Sequence, residues 1–399
     1  MLLLCFAGLL LVAALVSNRA DRTILSTSVL FLVGGIVLGS GALGVIEISP
    51  EDPTVGLLAE LALFAVLFTD GMKAGWRDLR SAWQLPGRAL LLGLPMTLIL
   101  TALLARFVVG LDWPTSLLVG AILSPTDPVF ASALVGNKKV PERLRHLLNV
   151  ESGINDGLAL PFVIILLTVA KRAGEVDVVE VLVELGLGIA IGVVVPLVAL
   201  ALERLPFFQA SHHYEPLTAL AIGLLVLAIG QVTHGNLFLA AFAAGITVAT
   251  AGPHQRESFE QFGELIAELL KLGALLVFGA LITITVIADN GWAGVVFAVL
   301  ALLLPRSIAL AISFLGSGLS TREQVAAAWF GPKGFASVVY ALYVLTSGLS
   351  NGLQVFDLIA GTVVLSILLH SSTDVVVARW FDDQWEVPHW YGRLRKKKG

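Results

Sequence analysis

Apolar runs of bilayer length follow one another along nearly the whole chain, separated by short polar connections. A membrane helix needs roughly 20 apolar residues. Because lipid offers no partners to backbone N–H and C=O groups, such a chain must fold as helices or a closed barrel, and runs of this length select helices. Of the 399 residues, 57% are apolar or aromatic and 14% are charged, which excludes an ordinary soluble domain. The formal net charge of −4 gives no reason to expect a strongly charged partner, nucleic acid included. The lone cysteine, Cys5, lies in the first apolar run, which excludes disulfides, Cys-rich metal sites and thiol redox chemistry. The chain reads as an all-α polytopic membrane protein of about 13 transmembrane helices.

The expected spans are 2–17, 24–42, 54–70, 89–109, 115–135, 149–170, 181–202, 216–233, 237–250, 264–288, 292–316, 323–346 and 355–378. Leu2 to Val16 resembles a secretory signal, but its charges lie on the wrong side. No Lys or Arg precedes the run, whereas Arg19 and Arg22 follow it. It is therefore read as an uncleaved first helix with its N-terminus outside. With that orientation only Arg106, Lys171 and Arg172 among the loop cations face outward, and the Arg393–Lys398 tail is cytoplasmic, as the positive-inside rule asks for an odd number of spans in the cell membrane. Residues 1–399 read as a single integral membrane domain ending in a short basic tail, 379–399. There Trp385, Trp390 and Tyr391 are expected to anchor at the lipid interface.

Function must sit within the spans, and the informative residues are those ionisable at membrane depth: Asp70, Asp127, Glu151, Asp156, Lys271, Arg306 and Lys333. Each charge facing lipid at the bilayer centre costs about 2.5–3.5 kcal/mol on insertion scales, so four such acids would cost roughly 10–14 kcal/mol. They must face one another or water. Some could serve only to pair with Arg306 or Lys333 and hold helices together.

The fifth span contains Ser124-Pro125-Thr126-Asp127-Pro128, two prolines bracketing a carboxylate. Proline removes a backbone donor and clashes with the carbonyl four residues back, so the helix should break here and expose carbonyl oxygens beside Asp127. The twelfth span carries a matching interruption, Gly331-Pro332-Lys333-Gly334. Two interrupted spans seven helices apart predict inverted repeats with two broken crossing helices near the midplane, as in secondary transporters. Asp127 and Lys333 are expected to offset the half-helix end charges.

The sixth span opens with Glu151-Ser152-Gly153-Ile154-Asn155-Asp156-Gly157. Spacing of four places Ser152 with Asp156 and Glu151 with Asn155, giving two adjacent polar stripes. Carboxylate, hydroxyl and freed carbonyl oxygens form a hard-ligand set for a small desolvated cation. Nothing resembles a nucleotide loop or a Cys/His metal cluster, so no nucleotide or cofactor is expected beyond transported ions. His212, His213, His234 and His370 lie near span ends and read as interfacial residues.

Together with Phe68-Thr69-Asp70-Gly71, with Phe238-Leu239-Ala240-Ala241-Phe242-Ala243-Ala244-Gly245 and with Arg306, these motifs resemble the monovalent cation/proton antiporters, in particular the NhaP-like sodium/proton exchanger branch, over nearly the whole chain. The resemblance implies the NhaA/NhaP-like antiporter fold and a homodimer. Spans within 1–70 and 216–288 would form the dimer domain, and 89–170 with 292–378 the moving ion-translocation core. It implies that Asp156 alternately holds proton and cation, assisted by Asp127, Thr126, Ser152 and Asp70. Glu151 would bridge to Arg306 and orient Asn155. Lys333 stands where this branch usually has Arg.

The function these readings give is secondary active antiport without enzyme chemistry. Na+ or Li+ would exchange for H+ by competition at Asp156, electroneutrally because Asn155 cannot titrate where electrogenic relatives carry a second Asp. K+/H+ exchange is the rival, since oxygen ligands alone do not select among these ions. An intramembrane aspartic protease using Asp127 and Asp156 as a dyad is the remote alternative, but the Gly-x-Gly-Asp pattern of those enzymes is absent.

Overall fold

The computed structural model describes residues 1–20, 27–73, 85–127, 140–171, 178–207, 211, 214–283 and 290–381. Pro128, His212, His213 and the basic tail, with Trp385, Trp390 and Tyr391, lie outside the described residues. The described chain is helical throughout: α1 Leu2–Ala20, α2 Thr27–Leu38, α3 Pro53–Lys73, α4 Leu85–Val109, α5 Trp113–Ile122, α6 Glu142–Lys171, α7 Val178–Glu203, α8 Glu215–Thr233, α9 Leu237–Ala251, α10 Pro253–Leu281, α11 Gly291–Leu303, α12 Pro305–Ser313, α13 Thr321–Trp329, α14 Phe335–Thr346 and α15 Gly352–Ala378. Among the described residues, seven stretches, two of which include π-helical turns or a break, are long and apolar enough to cross a membrane.

Each expected span contains helix. The fifth is interrupted as expected: its helix ends at Ile122 and the chain leaves helical geometry at Leu123, two residues before Pro125 removes a donor, and 128–135 lie outside the described residues. Two other spans differ in ways that matter. The eleventh is divided at Leu304, where Pro305 starts a second helix at its tolerated first turn. The tenth begins at Pro253, so polar residues 253–263, read as a connection, form the first turns of a long amphipathic helix.

Two groups of helices frame the site. In one, α3 packs against α9 and α10, α2 against α10, and α7 against α9. In the other, α4 packs on α5 and α12, α5 on α6, and α14 and α11 on α15. Between lipid-soluble helices there is little hydrophobic drive, so close backbone approach supplies the packing. The α3–α9 contact shows this: a Cβ on Gly71 would fall on the Phe242 carbonyl, and one on Gly245 on the Phe68 carbonyl. That contact fixes the height of Asp70, the neighbour of Gly71.

Substituting Gly245→Val should therefore lower the thermal stability of purified protein, by about 1–3 kcal/mol as overpacking commonly costs. Gly186→Ala, exposed on α7 with nothing near its Cβ position, is the control and should melt with the wild type.

Candidate functional site

The two interrupted helices meet at their breaks. Asp127 N–H donates to the Pro332 carbonyl (3.0 Å), and Phe335 N–H donates to Asp127 Oδ2 (3.0 Å). Asp127 thus caps, from another helix, the positive N-terminal end of α14, which has no side-chain cap of its own. Gly334 permits this approach, since a Cβ there would overlap the Asp127 side chain. The facing half-helix ends are satisfied similarly. Ser337 Oγ donates to the Ile122 carbonyl (2.7 Å), closing the C-terminal end of α5.

At the C-terminal end of α13 the structure departs from expectation. The cation there is Arg306, not Lys333. Arg306 donates to the carbonyls of Ala327 (3.2 Å) and Phe330 (3.4 Å), and passes so close to Gly331 that a Cβ would strike the guanidinium group. Its remaining donors form a fork on Glu151, at 2.5 and 3.0 Å, with both residues buried. Lys333 is 2% exposed, and its Nζ has no hydrogen-bond partner among the described residues, although its backbone N–H donates to Ser366 Oγ (2.7 Å). The planar fork of Arg can serve two carbonyls and a carboxylate at once, which an ammonium cannot match.

His370 is a second correction. It is buried in α15, not interfacial, with Nε2 2.9 Å from the Trp329 carbonyl and Nδ1 2.7 Å from the Ser366 carbonyl. It braces the same break from behind. His234, by contrast, caps the exposed end of α8 with a positive φ of 57°.

The sixth span divides its polar residues between two directions. Ser152 and Asp156 line a cavity of about 1010 Å³ together with Asp70, Thr69, Asp127, Lys271 and Phe335. Glu151 and Asn155 point into protein. Asn155 Nδ2 donates to Thr126 Oγ1 (2.8 Å) and to the Thr126 carbonyl (3.3 Å), so its partner is Thr126 and Glu151 does not orient it. Thr126 Oγ1 lies 3.3 Å from Ser152 Oγ, which completes a chain from Asn155 to the cavity wall. Tyr340 donates its hydroxyl to the Asp156 carbonyl (2.9 Å), fixing the backbone there. Asp156 Oδ1 is buried without a hydrogen-bond partner among the described residues.

Spacing of four puts Ser152 and Asp156 on one face, and both line the cavity, but the sequence gave no role to Lys271. The ammonium lies 3.8 Å from Asp127 Oδ2 and 5.6 Å from the centre of the Phe335 ring. It reaches the site from α10, distant in sequence from both breaks. Its charge inside an apolar helix was the only available signal.

This crossing of discontinuous helices beside buried acids agrees with comparison to known proteins. Residues 7–380 match the family described as sodium/hydrogen exchanger, transmembrane. The chain belongs to that family. Members similar to it include the K(+)/H(+) antiporter NhaP of Alkalimonas amylolytica, 27% identical over 385 residues, covering 95% of this chain and 65% of the relative. The Na(+)/H(+) antiporter ApNhaP of Aphanothece halophytica is 27% identical over 373 residues, covering 87% of this chain and 68% of that protein. The chain thus spans about two thirds of the length of these curated relatives. Its fold matches the structure of the sodium proton antiporter MjNhaP1 from Methanocaldococcus jannaschii at pH 8, with a TM-score of 0.76 and 18% identity over 95% of this chain and 99% of that one. This exchanger-family chain is accordingly a multi-pass membrane protein with the antiporter fold.

The Glu151–Arg306 pair generates a prediction. Arg306→Ala leaves a buried carboxylate and two helix-end carbonyls without their donor, and should destabilise the protein by about 3–5 kcal/mol. Glu151→Gln combined with Arg306→Ala should recover part of that loss in thermal unfolding. Strict additivity in the cycle would show that the pair is not coupled.

Proposed function

We propose that the chain is a secondary active monovalent cation/proton antiporter that exchanges Na+ or Li+ for H+. The observation that carries this is Asp156, whose Oδ1 is buried beside a cavity with no hydrogen-bond partner among the described residues. An ionised carboxylate there is uncompensated, and either a proton or a metal cation removes the deficit. Ser152, Asp127 and Asp70 stand on the same cavity and supply further hard oxygens, with Thr126 positioned behind Ser152.

Competition then drives exchange. With Asp156 ionised the oxygen cluster binds the cation, and protonation removes the charge that holds it. Either occupant lets the core switch sides, while the bare carboxylate resists being carried through a dry barrier. K+/H+ exchange is the second reading, favoured by the naming of several relatives as K(+)/H(+) antiporters. Thirteen spans as two inverted repeats, with the N-terminus outside and the C-terminus cytoplasmic, a homodimer in the cell membrane, and a core of 89–170 and 292–378 moving against 1–70 and 216–288 complete the proposal. The packing of α2 on α10, of α3 on α9 and α10, and of α4 on α5 and α12 supports that division, with α14 packing across it on α3. In this orientation the cavity opens to the cytoplasm, because Lys73 and His146 lie on its rim.

Asp156→Asn should abolish cation-driven proton flux in proteoliposomes while leaving thermal stability close to that of the wild type, because a buried unpaired carboxylate is no stabiliser. Retained flux in the purified variant would remove Asp156 from the carrier role.

Stoichiometry follows from Asn155, which holds Thr126 and has no proton to exchange. One proton should move per cation. Sodium/proton exchange measured with the membrane potential clamped by valinomycin should be the same in symmetric and asymmetric potassium; a rate that tracks the potential refutes one-for-one exchange.

A further inference from the structure

Among the described cations on the cavity wall, Lys73, Arg256 and Lys271, Lys271 is the buried one and stands beside the site acid Asp127. Its side chain is 9% exposed, and its ammonium stands between two carboxylates, 3.8 Å from Asp127 Oδ2 and 3.9 Å from Glu268 Oε2. These partners differ in setting. Asp127 is 10% exposed at the crossing of the broken helices, whereas Glu268 is 42% exposed, one turn back along α10 on the wall of the same cavity. Neither separation is a closed hydrogen bond, so the ammonium is shared between an inner and an outer carboxylate. Its flexible four-carbon stem can reach either. The Phe335 face beneath it, with the ring centre 5.6 Å away, offers a weak cation site between the two.

Resting on the ion-site reading above, we propose that Lys271 is a tethered competitor for the transported cation: its ammonium holds the Asp127 side of the site until a metal ion loads, and is then displaced to Glu268. Two like charges cannot share the Asp127–Asp156 region, so loading must move one of them. Glu268 provides the place to which the ammonium goes. Lys73 does not serve as a second competitor, because it is paired with Glu264 at 2.9 Å nearer the rim. The α10 helix carrying Lys271 packs mainly on α2, α3 and α8 and also touches α14, whereas Asp127 caps α14, so the displacement loosens a charge contact between α10 and the crossing.

The test measures cation affinity without relying on transport. Thermal stabilisation of the purified full chain is titrated with sodium chloride and with potassium chloride at constant ionic strength in choline chloride, and initial exchange rates in proteoliposomes give KM and kcat separately. Lys271→Met should tighten the apparent affinity by roughly tenfold, within the range by which occupancy at one site alters affinity at another. Lys271→Arg, which keeps the charge, should stay near the wild type. Glu268→Gln should weaken cation affinity, and that weakening should vanish in the Lys271→Met background. If Lys271→Met does not fold, Lys271→Gln carries the same comparison. Unchanged or weaker affinity in the neutral variants overturns the competitor role. A Glu268→Gln effect that persists without Lys271 overturns the displacement, since Glu268 would then attract cations by itself. The Asp156→Asn variant separates the two levels of inference. If wild-type stabilisation by both salts survives in it, the ion-site reading itself fails and this proposal with it.

Discussion

Two helix interruptions inside a bilayer leave backbone groups that water cannot reach, and the site is arranged around satisfying them. Asp127 supplies a carboxylate to the N-terminal end of α14 and takes the Pro332 carbonyl with its own N–H. Arg306 supplies donors to the C-terminal end of α13, and Glu151 balances its charge. These groups therefore have structural work independent of any transported ion. Asp127 is already engaged on Oδ2 by Phe335 N–H, which limits how far it can rearrange around a cation. Asp156 Oδ1 has no comparable obligation among the described residues, which is why the proposed exchange is placed on it.

The same pairs tie the crossing into one body. Glu151 and Arg306 join α6 to α12 at depth, and the Arg306 bonds to Ala327 and Phe330 extend the tie to α13. Nearer the helix ends, Arg143 of α6 forms a fork on Glu323, which also completes a capping box with Ser320 at the start of α13. Half of the Arg143 side chain is exposed but Glu323 is buried, so the fork chiefly supplies a partner to a buried carboxylate. It also holds α6 and α13 in register at a second height. By contrast, Lys271 on α10 meets Asp127 at 3.8 Å, a looser contact than the Glu151–Arg306 fork.

Local chemistry made much of this legible in the sequence. Pro125 and Pro332 announce interruptions because proline's effect on a helix depends only on its neighbours along the chain. Spacing of four placed Ser152 and Asp156 on one face, and both line the cavity. What could not be read depends on approach between distant segments. Whether Arg306 or Lys333 balances the α13 terminus is decided by reach and by the geometry of a guanidinium fork across helices. The break at Pro305 was hidden because proline at the first turn of a helix is equally compatible with a continuous span and with a new one. The burial of His370 follows from the return path of α15 behind the crossing, although its position near a span end suggested an interface. Asn155 lay next to Asp156 in sequence, but a shift of one residue turns a helical side chain by about 100°, and its partner became Thr126.

Charge at the crossing links these local arrangements to exchange. Two of the ionic groups near Asp156 are paired through the structure, Glu151 with Arg306 and Asp127 with Lys271, while Asp70 faces the same cavity. In the proposed cycle, adding a proton to Asp156 or placing a monovalent cation beside it changes the site's charge by the same single unit. The two loaded states then present the same net charge to the barrier that the core must cross, and one conformational change can carry both. A second acid beside Asp156 that changed protonation in each half cycle would break that equivalence, because proton-loaded and cation-loaded forms could then differ in charge. Asn155 occupies that position with a neutral amide committed to Thr126. Its amide fixes the broken helix against α6, and in the proposed cycle its neutrality would keep the two cargoes electrostatically interchangeable.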